Sequence, residues 1–106
     1  MNMLEHTDEG AGPTARYYVR VISDDMAPRW RVGEGAMIDT EAPVGAGDDV
    51  LVEFASGGRI LRRLAAEDAS TVTLATYDGR PPTVHDRREI ATLHFVCGRF
   101  RFREAA

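Results

Sequence analysis

The sequence predicts an all-β domain built from short antiparallel strands with one or two helical turns. Two observations carry that prediction. Apolar and β-branched residues recur in short alternating runs, as in Arg16-Tyr17-Tyr18-Val19-Arg20-Val21-Ile22, the pattern of a strand with one buried face. Turn-forming residues stand between the runs, at Gly33 and Gly35, Gly45 to Asp48, Ser56-Gly57-Gly58, Asp78-Gly79 and Pro81-Pro82.

Length and composition fit one small core. The chain has 106 residues, 43% of them hydrophobic, and its 28% of charged residues is too mixed in sign for disorder. A net charge of −4 and a pI near 5.3 have the wrong sign for coating nucleic acid, so no direct nucleic-acid contact is expected. Cys97 is the single cysteine, which forbids an internal disulfide and fits a reducing cytoplasm. No apolar run reaches membrane-spanning length, so no membrane partner is expected.

In chain order, residues 1–15 read as a flexible tail, because His6, Asp8, Glu9, Gly10, Gly12 and Pro13 show no apolar period. Residues 16–103 form the domain. Arg16 to Ile22 is its first strand. Ala27 to Val32 predicts one helical turn, with Pro28 tolerated near its start and Trp30 as an anchor in the core or at its rim. Ala36 to Asp39 and Asp49 to Phe54 are the next strands. Ser56-Gly57-Gly58 is a hairpin signal that returns the chain through Arg59 to Leu64. Thr71 to Tyr77 is rich in β-branched residues and predicts a further strand. Asp86 to Glu89 reads as a single helical turn, and Ile90 to Phe102 as a long final strand or pair of strands.

One stretch organises the functional reading: Ser23-Asp24-Asp25-Met26-Ala27-Pro28, followed by Gly33-Glu34. It resembles the nucleophile segment of the Ser–Lys peptidase domain shared by LexA, UmuD, phage repressors and the signal peptidases. Arg59-Ile60-Leu61-Arg62-Arg63-Leu64 is similar to the family strand that carries the catalytic lysine. The likeness spans residues 17–102 and includes Gly47-Asp48 and the closing aromatic strand with Gly98. It implies a LexA C-terminal-like, β-clip type fold. Lack of a membrane span places the chain with the soluble branch, and no helical period is long enough for a helix-turn-helix DNA-binding domain.

Both catalytic positions depart from the family pattern. The nucleophile position is Asp25 and the general-base position is Arg62, and all thirteen basic residues of the chain are arginine. A Ser–Lys mechanism needs an amine that loses its proton near neutral pH, and guanidinium does not. The resemblance therefore implies a pseudo-peptidase with no catalytic residues, whose former cleft contains Ser23, Asp24, Asp25, Met26, Pro28 and Arg62. Serine and lysine meet in that cleft in the family, so Asp25 and Arg62 are expected to be neighbours and to form a charge-assisted pair.

The remaining polar groupings have simpler readings. Asp24-Asp25 and Asp48-Asp49 are adjacent carboxylates that point to opposite sides of an extended chain, and turn chemistry explains both. His94 and Cys97 fall on opposite faces of a strand, and His6 and His85 bring no cysteine or acidic cluster at zinc spacing, so neither metal nor cofactor is expected. Gly33-Glu34-Gly35 lacks the setting of a phosphate loop. Ser23 has no lysine or histidine in its motif to activate it. Ala11-Gly12 matches the dipeptide type at which LexA relatives cleave themselves.

Arg99, Arg101 and Arg103 alternate with Phe100 and Phe102, which puts guanidinium groups on one face and rings on the other. The resemblance implies a homodimer through this C-terminal strand, with Phe95, Cys97, Arg99, Arg101 and Arg103 at the interface. An unpaired strand edge and arginine forks suit such an interface. Three functions follow as expectations. The first is a non-catalytic interaction module that self-associates or pairs with LexA-like or phage-repressor subunits in transcription or SOS and prophage regulation. The others are a residual self- or trans-acting serine-type peptidase, and a domain that holds extended peptides without cutting them.

Overall fold

The structure, a computed structural model, describes residues 4–7, for their backbone alone, and 16–101. Among the described residues eight strands form one antiparallel sheet: β1 (Leu4–Thr7), β2 (Arg16–Val21), β3 (Glu34–Asp39), β4 (Asp49–Phe54), β5 (Arg59–Glu67), β6 (Thr71–Ala75), β7 (Thr83–Asp86) and β8 (Ile90–Arg101). Their order across the sheet is β1-β2-β3-β8-β4-β5-β6-β7. The all-β prediction agrees with this architecture.

The long strand β8 joins two hairpin-connected groups. Its first half pairs with β4 from Phe54↔Ile90 to Val50↔Phe95, and its second half with β3 from Asp39↔Phe95 to Glu34↔Arg101. Within the second half, Met37↔Gly98 is followed by Ile38↔Val96, so Cys97 is the extra residue of a β-bulge.

Apolar residues on both sides of β4 explain why the sheet coils around two cores. Leu51 enters a cluster with Val19, Val21, Met26, Trp30, Ala36, Ile38, Leu61 and Val96. Its neighbours Val50 and Val52 point the other way, into a cluster with Leu64, Val72 and Leu74. Strand residues alternate between faces, so a run of three fully buried aliphatics needs a core on each side.

Between β2 and β3 the chain makes a compact loop that lays Met26 and Trp30 into the first core. Its turns are closed by Ala27 N–H to Asp24 O and Trp30 N–H to Met26 O, both 3.0 Å, and by Gly33 N–H to Val21 O at 2.8 Å. The expected helical turn at residues 27–32 is instead a series of turns. Pro28 supplies no N–H and disfavours helical backbone at Ala27. Trp30 is 2% exposed and is a core residue rather than a rim one.

Three other expectations differ from the structure. Within the predicted tail, Leu4–Thr7 pairs with β2 in antiparallel register, because the outer edge of β2 offers a ladder of unused backbone groups. The remaining tail residues, including Ala11-Gly12, lie outside the described residues. β7 was hidden behind Pro81-Pro82, which break the chain but leave Thr83–Asp86 free to pair with β6. The single helical turn expected at Asp86 to Glu89 is present, as a 3₁₀ turn over Arg87–Glu89 capped by the Asp86 side chain. Finally, β8 is interior and not an edge strand, and the sheet's edges are β1 and β7. Its length lets each half find a different neighbour.

Candidate functional site

Asp25 and Arg62 meet. Asp25 sits in the turn after β2, and Arg62 lies in the middle of β5 opposite Val50. Arg62 Nη1 donates to Asp25 Oδ2 at 2.8 Å and to the Leu61 carbonyl at 2.8 Å. The two side chains are 15% and 14% exposed, so the pair is largely withdrawn from water. The other Asp25 oxygen, Oδ1, accepts the Ser23 hydroxyl at 2.7 Å. Arg80, from the connection between β6 and β7, donates from Nη2 to the Asp25 carbonyl at 3.2 Å and from Nε to Asp78 at 2.6 Å.

These contacts assign a part to each residue of the predicted cleft. Ser23, Asp25 and Arg62 form one hydrogen-bonded chain, while Asp24 and Pro28 are exposed and Met26 is buried in the first core. A carboxylate and a guanidinium hold the centre of this arrangement. Neither supplies a proton-accepting amine, and the Ser23 hydroxyl is committed to a carboxylate that is itself held by arginine.

A second polar centre went unread in the sequence. Asp49 Oδ2 accepts from Trp30 Nε1 at 2.9 Å and from Arg29 Nε at 3.2 Å, and Oδ1 accepts the Tyr77 hydroxyl at 2.5 Å. Its side chain is only 7% exposed. Burial and the adjacent carboxylate push the Tyr77 hydroxyl up to about 12. Burial likewise raises Tyr17, with a smaller contribution from Glu53. Asp49 thus ties the β2–β3 loop, through Arg29 and Trp30, to the segment just after β6. The sequence signal was present in the two aromatic donors, Trp30 and Tyr77, which need an acceptor once buried.

The residues expected at a dimer interface divide between two surroundings. Phe95, Cys97 and Arg99 line a cavity of about 500 Å³ that also touches Arg29, Asp49 and Tyr77. The Arg99 guanidinium lies 4.3 Å from the Trp30 ring centroid, and its Nη1 is 3.5 Å from Glu34. Phe100, on the opposite face, meets Tyr18 edge-on at 4.4 Å. Arg101 and Cys97 are exposed, whereas Phe102 and Arg103 lie outside the described residues.

His85 and His94 are each paired with nearby side chains. His94 Nε2 is 3.4 Å from Glu53, which also accepts the Thr92 hydroxyl at 2.8 Å. His85 contacts the Thr83 hydroxyl at 2.9 Å and Glu89 at 3.4 Å. Among the described residues no group of three or more His, Cys, Asp and Glu side chains is arranged to hold a metal ion, and no helix is long and apolar enough to cross a membrane.

Comparison of the chain with protein-family models, with curated proteins and with solved structures finds no match.

Proposed function

We propose that the chain is a non-catalytic domain of the LexA and phage-repressor type that works as a dimerisation and interaction module. The ion pair of Asp25 and Arg62 carries this reading. Two positions distant in sequence, picked out because a nucleophile and a base belong there, are occupied by a carboxyl group and a guanidinium in contact at 2.8 Å. A pair withdrawn from water in this way is stable only while both members are present. It fills the place where a peptidase needs a free hydroxyl and a titratable amine.

Self-association is read onto the second half of β8. β4 pairs only with residues 90–95, so the flank of Cys97 to Arg99 turned toward β4 has no strand beside it among the described residues. Phe95 and Arg99 line the cavity at this flank, and an aromatic ring with an arginine fork is the composition favoured at the centre of interfaces. A partner subunit of the repressor type joined here would lose one of two linked operator contacts, which weakens DNA binding through the linkage.

Sedimentation velocity over the micromolar range tests the proposal. A dimer that Phe95→Glu converts to a monomer of unchanged circular dichroism is the expected result. A wild-type chain that stays monomeric throughout, alone and mixed with repressor-type subunits, would overturn it.

A further inference from the structure

Beside the Asp25–Arg62 pair lies a smaller groove, about 250 Å³, on the face shared by β5, β6 and β7. Ile60, Leu74 and Pro81 give it an apolar floor. Its polar wall is made of Arg62, Arg80, Thr76, Thr83 and His85, and no acidic residue lines it. The volume lies below the range of about 300–1,000 Å³ found for drug-sized ligands, so one small group fills it.

We propose that this groove binds a carboxylate carried on a short apolar stem. The donors are in place before any ligand arrives. Arg62 uses Nη1 for both of its protein contacts, and guanidinium carries five N–H donors in a fixed fork. No side-chain nitrogen among the described residues is both buried and unpartnered, so the other nitrogens of Arg62 are not sealed off from solvent, and Arg62 is one of the groove's lining residues. Asp25 fixes one edge of the guanidinium and leaves the other edge available to a second carboxylate.

Arg80 is held in the same manner. Its Nε rests on Asp78 and its Nη2 on the Asp25 carbonyl, so Nη1 remains, on a side chain with little freedom left to lose. The carboxylates that pair with these two arginines, Asp25 and Asp78, are not among the groove's walls. A ligand therefore meets donors and apolar surface together. The Arg62 fork prefers the planar geometry of a carboxylate, Arg80 adds Nη1 as a further donor, and Ile60 and Pro81 offer apolar surface to its methylene stem. The groove stands on its own residues and is independent of self-association.

A carboxylate of this kind comes from a free short-chain acid or from a glutamate side chain of an extended peptide. Isothermal titration with two matched pairs separates these sources: butyrate against butyramide, and acetyl-Ala-Glu-Ala-amide against its Gln counterpart. In at least one pair the acid should bind about 10- to 100-fold more tightly than the amide, the value of charge-assisted bonds to a guanidinium. The pair that responds names the source. Arg80→Gln, at a side chain 55% exposed where folding is not at stake, should remove most of that preference. Acid and amide bound equally, or not at all, in both pairs would overturn the proposal. So would a preference that survives in Arg80→Gln.

Discussion

Asp25 Oδ2 and Arg62 Nη1 lie 2.8 Å apart across 37 positions of sequence, joining the turn after β2 to the middle of β5. Each is about 15% exposed or less, so each depends on the other for solvation. Arg62→Ala leaves the Asp25 carboxylate with the Ser23 hydroxyl as its remaining side-chain donor. The expected cost is about 3 kcal/mol, the lower end for breaking a buried pair, because a little water still reaches it. Arg88→Ala, at a side chain 91% exposed, should change stability little, and Arg87→Ala, which is paired with Glu67, by less than about 1 kcal/mol. Urea denaturation of the three variants gives the ranking directly. Equal midpoints would remove the ion pair from any account of this fold.

How much of this arrangement was legible depends on whether the information was local. Strand runs and hairpin signals are local, so β2 to β6 and β8 could be read from alternation and glycine placement. The contact between residues 25 and 62 is not local. It became an expectation only through a family pattern that places two catalytic positions together. Asp49 shows the limit. As half of an Asp-Asp pair at a strand start it looks like turn chemistry, and only the tertiary fold brings Trp30, Arg29 and Tyr77 around it. The position of β8 was misread for the same reason: length and alternation identify a strand but not its neighbours.

Asp49→Asn tests the second polar centre. Asparagine keeps one carbonyl oxygen but replaces the other acceptor with an amide NH2 donor facing Trp30, Arg29 or Tyr77. One aromatic donor then loses its partner inside a packed site, at about 2 kcal/mol. For a domain of this size that lowers the melting temperature by about 8–15 °C. Trp30 reports the event separately, since it is the single tryptophan of the chain. Its emission maximum should move in the folded variant if the indole N–H loses its carboxylate. An unchanged spectrum together with an unchanged midpoint would show that the contact contributes nothing.

The hairpin between β4 and β5 makes a prediction about backbone alone. Gly57 has φ +105°, and a Cβ built there meets nothing within 4 Å. Any loss on Gly57→Ala is therefore conformational and not steric. About 1–2 kcal/mol is expected, with the sheet otherwise intact. Gly45→Ala is the control, because Gly45 is not among the glycines with positive φ, and its Cβ would only touch Asp48 at 4.0 Å. If both substitutions cost the same, left-handed backbone at Gly57 is not what closes the hairpin.

Tyr77 converts the Asp49 centre into a dependence on alkaline pH. Its hydroxyl is pushed up to about 12, first by burial and then by the carboxylate it donates to, whereas a free tyrosine titrates near 10. A group raised in the folded state stabilises it fully below the unfolded value. That contribution is lost as pH rises from about 10 through about 12. Partial exposure screens the interaction, so on the order of 1 kcal/mol is at stake. The comparison that isolates it is the wild type against Tyr77→Phe across pH 8 to 12, because Tyr17 is also raised and adds its own alkaline loss to both proteins. Below pH 10 the wild type should be the more stable of the two by a constant amount, and above it the gap should close. A gap that stays constant to the top of the range would mean that Tyr77 ionises as freely in the folded chain as in the unfolded one. The bond to Asp49 would then be too weak to hold the β2–β3 loop against the sheet.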